Sequence, residues 1–420
     1  MAQAAASSLR ATPSRMNAVP VNRRGVALMA SAHVADDIYQ GVVPALLPFL
    51  VAERGYSYAA IAGLTLAATV LSSVAQPAFG WLGDRAPRRW MIPAGMLTAA
   101  IGVGLVGLSP TYLVTWLLIA LSGLGIAAFH PEAARAARQA SGNSNRAMSV
   151  FALGGNVGFA LGSLVATPLL LATGLGGTVL LVLPALVMAS ILISRLHTVL
   201  DGRTTDKRRP AAVIGDDNWP AFLRLTSIVV VRSIVFFGLT SFLAVYFIHN
   251  LDATLVEGGA ALTLFLIAGA GGTLIGGWLA DRFGRLLSIR IGFALTIPAM
   301  AGIVLSPTWP VAMAFVAITG VTIFIPFAVF VILGQDYLPH RIGTASGVTV
   351  GLAVSIGGLF TPVLGLLADT LGLQLALGVL VALPLIALIL TALLRDPRSQ
   401  PRHPRPTGDT AAEAAEEGVL

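Results

Sequence analysis

Twelve apolar stretches, each roughly 18 to 26 residues long, leave this chain few ways to fold. They fall near 26–51, 59–82, 90–108, 112–130, 147–172 and 177–196. After a polar break they resume near 225–249, 257–280, 287–305, 310–334, 343–368 and 371–394. A hydrocarbon core about 30 Å thick is crossed by about 20 such residues in an α-helix, which satisfies its own backbone polar groups where no water can. The expectation is an all-α membrane protein with twelve transmembrane helices. Composition agrees, since 56% of the residues are hydrophobic and 11% charged, against about 25% charged in soluble domains.

Between the second and third runs lies Gly80 to Arg89, GWLGDRAPRR. Between the eighth and ninth lies Gly277 to Arg285, GWLADRFGR. Each packs Gly, Asp and Arg into a short turn that hydrocarbon would reject, so two similar halves are expected. The divisions follow: a cytoplasmic arm over 1–24, a six-helix bundle over 25–198, a cytoplasmic linker over 199–221, a second six-helix bundle over 222–394 and a cytoplasmic tail over 395–420. The arm carries Arg10, Arg15, Arg23 and Arg24 without an apolar core before a small-residue cleavage site, unlike a signal peptide. Placing it in the cytoplasm puts nearly every Lys and Arg on that side and leaves Arg54 on the other, as the positive-inside rule requires.

The two loops, Gly80-x-Leu82-x-Asp84-Arg85 followed by Arg88 and Arg89, and Gly277-x-Leu279-Ala280-Asp281-Arg282-x-Gly284-Arg285, resemble the loop signature of the major facilitator superfamily of secondary transporters. There it joins the second and third helices of each six-helix half. The resemblance implies two pseudo-symmetric six-helix bundles with a cavity between them, lined by the first helix of each.

Other patterns carry less. With no cysteine, disulfides, thiolate metal sites and thiol nucleophiles are excluded. Gly102-x-Gly104-x-x-Gly107 has the letters of a dinucleotide fingerprint but sits inside an apolar run, with no strand before it. Gly154, Gly158 and Gly162 share one helix face and suit close packing. Pro44, Pro184, Pro298 and Pro326 are of the kind that membrane helices tolerate as kinks, and the sequence does not say which of them bend.

Polar groups within the runs carry the chemistry, because an ionised side chain at a helix centre costs about 2.5–3.5 kcal/mol to insert and avoids lipid. The first run holds His33, Asp36, Asp37 and Gln40. At about 1.5 Å per residue, Asp36 lies roughly 16 Å from Gly25, near mid-membrane. His33, Asp37 and Gln40 share a face, and Asp36 stands about 100° round from Asp37, within reach of His33 and Gln40. Two adjacent carboxyls in a low dielectric do not both stay ionised cheaply, so at least one is expected to hold a proton near neutral pH. That suits proton coupling at Asp36 and Asp37. The same residues also admit a polar cluster that only locks helix contacts, or a metal site of hard ligands. No second cluster of ligands shows in the sequence, so no metal and no cofactor is expected.

Arg232, deep in the seventh run, is expected to pair with Asp36 or Asp37 across the halves, to hold an anionic substrate group, or to snorkel to the interface. At the end of the fourth run, Phe129-His130-Pro131-Glu132 is followed by Arg135 and Arg138. Glu132 and Arg135 stand one turn apart and are expected to form a surface pair worth about 0–1 kcal/mol. Together with Asp84, Arg85, Arg88, Asp281, Arg282 and Arg285 they make the expected cytoplasmic gate, a latch that breaks as the halves rock. Gln335, Asp336, His340 and Arg341 occupy the corresponding turn of the second half.

His33-x-x-Asp36-Asp37-x-x-Gln40, the Phe129 to Arg135 segment and Gly154-Gly155-Asn156-x-Gly158-x-x-x-Gly162 together resemble the fosmidomycin-resistance branch of that superfamily. Asn is expected there where this chain has Asp36, an added acid that bears on substrate charge and proton count. The branch implies drug efflux by proton antiport at the inner membrane.

The resulting expectation is a secondary active transporter and not an enzyme: proton-coupled efflux of a small drug-like or anionic compound such as fosmidomycin, by alternating access about a midplane site. Asp36 and Asp37 would couple protons, while His33, Gln40, Asn156 and Arg232 would line the substrate cavity. The partners expected are a small molecule, protons and the lipid bilayer. The net charge of +7 is distributed as topology distributes it and not as a nucleic-acid patch, and nothing calls for more than a monomer. No ATP-binding loop is present, so an ion gradient would supply the energy. Uptake or uniport of an endogenous organic anion is the alternative within the class. Outside it stand an intramembrane metal-dependent enzyme around His33, Asp36 and Asp37, and a non-transporting sensor.

Overall fold

The computed structural model describes residues 21–85, 88–141, 145–200, 216–341, 344–345 and 347–397. Residues 201–215 of the linker expected over 199–221, most of the arm and most of the tail lie outside these residues. No strand occurs among them. The first half contains α1 (Arg23–Arg54), α2 (Tyr58–Arg85), α3 (Met91–Gly104), α4 (Tyr112–Ser141), α5 (Asn145–Thr173) and α6 (Val182–Leu200). The second contains α7 (Trp219–Asn250), α8 (Leu255–Phe283), α9 (Arg285–Leu305), α10 (Trp309–Phe324) and α11 (Phe327–Tyr337). A π-helical turn (Gly347–Leu352), α12 (Ala353–Leu359), α13 (Thr361–Leu371) and α14 (Leu373–Ala392) complete it. Among the described residues, eleven helical segments are long and apolar enough to cross a membrane, and Ser355–Leu371 adds a shorter apolar one. The chain is a multi-pass membrane protein.

Repetition is visible in how the helices start. Both α1 and α7 are 32 residues long, and each is preceded by an Asn whose side chain accepts a backbone N–H three residues on. Asn22 takes Gly25 N–H at 3.0 Å and Asn218 takes Ala221 N–H at 3.1 Å, satisfying donors that a helix start leaves open. Each Asn also donates its own N–H to the end of the fourth segment of its half, Ala140 O at 2.8 Å and Tyr337 O at 2.7 Å.

The prolines act unequally. Pro44 and Pro298 sit within continuous helices, while the tenth crossing divides at Pro326 into α10 and α11. The eleventh breaks at the π turn and again before Pro362, which occupies the first turn of α13, where its missing N–H costs no bond.

Inside the first half, α5 lies against α1 with almost no gap. A Cβ on Gly158 would come within 2.3 Å of Val34 O, and one on Gly162 within 2.2 Å of Ile38 O, so the glycine face is a packing face. Apolar side chains face outward elsewhere. Leu183, Val187 and Ile191 of α6 are exposed on one stripe, as contact with lipid requires.

Between the halves lies a cavity of about 1380 Å³, lined by α1, α2, α4 and α5 from one side and α7, α8 and α11 from the other. It extends to Asp281, Gly284 and Asp396 at one end. At the other end the halves touch. The Asp369 carboxylate accepts the N–H groups of Tyr58 and Ala59 at 2.9 Å each. Thr65 and Ser241 share a hydrogen bond of 2.9 Å, as do Ser163 and Thr263.

Candidate functional site

Three side chains from two helices meet at the wall of this cavity. His33 and Asp37 lie one turn apart on α1, and His130 comes from α4. His33 Nε2 is 3.4 Å from Asp37 Oδ2, His130 Nε2 is 3.3 Å from Asp37 Oδ1, and the two Nε2 atoms are 3.3 Å apart. Gln40 donates to Asp37 Oδ1 at 2.8 Å.

The rings are held from behind. His33 Nδ1 donates to Phe151 O at 2.8 Å while its ring stacks on the Phe151 ring at 4.3 Å. His130 Nδ1 donates to Ile126 O at 2.9 Å. Because a carbonyl can only accept, both protons of the neutral rings sit on Nδ1, and both Nε2 lone pairs point towards Asp37. Space for this exists because α5 presents Gly155 there: a Cβ would lie 2.6 Å from Asp37 Oδ2.

Asp36 differs from the expectation that it reaches His33 and Gln40. It is fully buried, and neither of its oxygens has a hydrogen-bond partner. His130 Nδ1 stands 3.8 Å from Asp36 Oδ2. Asn156 and Gln40 line the cavity.

Arg232 is not among the groups that line the cavity, and it does not meet either aspartate. It is buried in the second half, its Nε donating to Ile323 O at 3.0 Å and its guanidinium over the rings of Phe324, Phe327 and Phe236 at 4.8, 5.0 and 5.5 Å. Helix α7 turns this face towards α10 and α11, and the aromatic faces supply the negative potential that a carboxylate was expected to supply.

The expected gate residues also sit differently. Glu132 is buried, not at the surface. It accepts Arg88 N–H at 3.3 Å and stands 3.7 Å from Arg135 Nε. Arg285 pairs with Asp336 at 2.5 Å. Both contacts lie within one half and tie the repeated loop to the fourth crossing of that half, so neither bridges the halves as a latch. Asp281 and Arg282 are exposed, with Arg282 against Phe283. The side chains of Asp84 and Arg85 lie outside the described residues.

Sequence reasoning left His130 out of the acidic cluster because 97 positions separate it from His33. It also passed over a polar stripe, Thr69, Ser72, Ser73 and Gln76 on α2, that lines the cavity. The i, i+3, i+4, i+7 spacing of that stripe in an otherwise apolar helix was the available signal.

Two helical bundles around a central cavity, with buried ionisable groups on its wall, describe a membrane transporter. The chain belongs to the Major Facilitator Superfamily, whose family model matches residues 29–362. Within that family it is 31% identical to the fosmidomycin resistance protein of Escherichia coli (strain K12), over 87% of this chain and 91% of that one. It is 29% identical to YfnC of Bacillus subtilis (strain 168), an uncharacterized MFS-type transporter, over 90% and 94% of the two chains. Among solved structures, a bacterial homologue of the human lysosomal transporter Spinster, inward-facing and unoccupied, superposes with a TM-score of 0.74 at 17% identity, covering 90% of this chain and 98% of that one. The nucleoside transporter NupG gives 0.70 at 11%, covering 88% and 99%. At such identities the likeness concerns the fold.

Proposed function

We propose that this protein exports a small drug-like or anionic compound, such as fosmidomycin, in exchange for protons. The observation that carries the reading is the group His33, Asp37 and His130 on the wall of the interbundle cavity, with Asp36 fully buried behind it. Buried carboxylates beside imidazoles exchange protons with a wet cavity at small cost, because each proton gained by one group relieves charge on its neighbour. Asp37 and Asp36 carry the proton, His33 and His130 share it, and Gln40 and Asn156 contact substrate. The likeness to the fosmidomycin resistance protein supports the substrate class.

In the same reading the halves divide at 199–221, both termini are cytoplasmic, and the protein works as a monomer in the inner membrane. The end carrying Asp281 and Arg285 faces the cytoplasm, so the conformation described is inward-facing. The test is transport in vesicles with an imposed pH gradient. Wild-type protein is expected to move fosmidomycin against its gradient, and the double variant Asp36→Asn, Asp37→Asn to lose at least about tenfold of that coupled rate, equal to about 1.4 kcal/mol. Unchanged coupling in the double variant sinks the assignment, and unchanged drug susceptibility of expressing cells sinks the substrate.

A further inference from the structure

With both rings neutral, His33 Nε2, His130 Nε2 and the Asp37 carboxylate present only lone pairs to one another. In the neutral rings two Nε2 lone pairs and a carboxylate converge at 3.3–3.4 Å, a mutually repulsive set until a proton or a metal ion enters. The separations are those of a metal site: bonds of about 2.0–2.1 Å in tetrahedral geometry place ligand atoms about 3.3–3.4 Å apart. Asp37 straddles the two rings and can bind through either oxygen. Both rings donate Nδ1–H to backbone carbonyls, the outer-shell pattern that fixes metal-binding imidazoles in the right tautomer.

A second observation comes from Asp36. Its carboxylate is fully buried without a hydrogen-bond partner, 3.8 Å from His130. A divalent ion among neutral histidines would offset the charge of Asp37 and allow Asp36 to ionise beside it, where a low-dielectric interior otherwise disfavours an unpaired carboxylate. The cavity supplies access, since His33, Asp37 and His130 all line it.

We infer that His33 Nε2, Asp37 and His130 Nε2 form a binding site for one divalent first-row transition-metal ion, with its remaining position open to the cavity for an oxygen donor. Two imidazoles and one carboxylate suit Zn²⁺ or Co²⁺ over Mg²⁺ or Ca²⁺. A filled site ties α1 to α4 and excludes a proton from the same lone pairs. The inference stands on ligand geometry and not on proton coupling or substrate, and its test needs no gradient.

The experiment uses tag-free, full-length protein in detergent, stripped with a chelator and titrated with Co²⁺. Expected are one Co²⁺ per chain, the intense visible absorption of four-coordinate cobalt, and loss of that band when one equivalent of Zn²⁺ is added. His130→Ala and His33→Gln are each expected to weaken binding by at least about 10–100-fold. Asp36→Asn keeps all three ligand atoms and weakens it less. His249→Ala and His340→Ala, remote from the site, leave it unchanged. A wild-type protein that is monodisperse yet binds no stoichiometric metal overturns the inference. So does a band of six-coordinate character, or binding that persists in His130→Ala. Should the ligand variants not fold, the wild-type stoichiometry and spectrum decide alone. A metal site with intact proton coupling in the Asp36, Asp37 double variant would sink the proton reading and leave this one standing.

Discussion

Gly155 does its work by lacking a side chain. A Cβ there would sit 2.6 Å from Asp37 Oδ2 and 2.7 Å from His33 Nε2, and these atoms are pinned by Gln40 and by the Phe151 carbonyl. Relief would require moving α5 or opening the cluster. Gly155→Ala is therefore expected to fold and to lose transport by at least about tenfold, about 1.4 kcal/mol of transition-state stabilisation. Gly378→Ala, where a Cβ meets nothing within 4 Å, is the matched control. Wild-type transport by Gly155→Ala would show that the cluster is slack. Arg232 teaches a related point, since three phenylalanine rings and one carbonyl surround its guanidinium while Nη2 has no hydrogen-bond partner, and a cation can be buried without a counter-ion when aromatic faces surround it.

Among the elements, α2 depends on the other half for its start. Its first two N–H groups are capped by Asp369 of α13, where a carboxylate also meets the positive end of the helix dipole. Losing such a cap costs about 0.5–2 kcal/mol, enough to change a two-state ratio by about 2–30-fold. That cost falls only on the conformation in which this end is closed, so Asp369→Ala is expected to shift the protein towards opening there. The chain has no cysteine, so a cysteine introduced by Ala68→Cys in the cavity wall is the sole thiol. Maleimide added from the Asp369 side is expected to label it faster in the Asp369→Ala background. An equal rate would mean the cap does not bias the closed state.

For the whole molecule, the two halves meet at the closed end through hydroxyl pairs on neighbouring helices, Thr65 with Ser241 and Ser163 with Thr263, each at 2.9 Å. Such contacts are single neutral hydrogen bonds, each worth about 0.5–1.5 kcal/mol, weak enough to break in every cycle. A covalent bond in their place should not break. Side chains in oxygen-to-oxygen contact lie near the Cβ separation of about 3.5–4.5 Å that a disulfide needs. The double variant Ser163→Cys, Thr263→Cys is expected to lose transport on oxidation and regain it with reductant. Full activity of the cross-linked protein would contradict motion of the halves about this contact.

From the sequence alone came the membrane class, the two similar halves and the family, because the period and length of apolar runs and the twice-used Gly-Asp-Arg loop are local properties that hydrocarbon enforces directly. His33, Asp37 and Gln40 were legible for the same reason, being neighbours on one helix face. What the tertiary structure alone decided concerns groups brought together from distant positions. Helix α4 carries His130 to Asp37 and leaves Asp36 behind it without a bond. Helix α7 turns Arg232 into an aromatic socket away from both aspartates. Helix periodicity fixes which side chains share a face, whereas the rotation of each helix in its bundle fixes what that face meets, and that rotation is set by packing such as Gly158 against Val34 O.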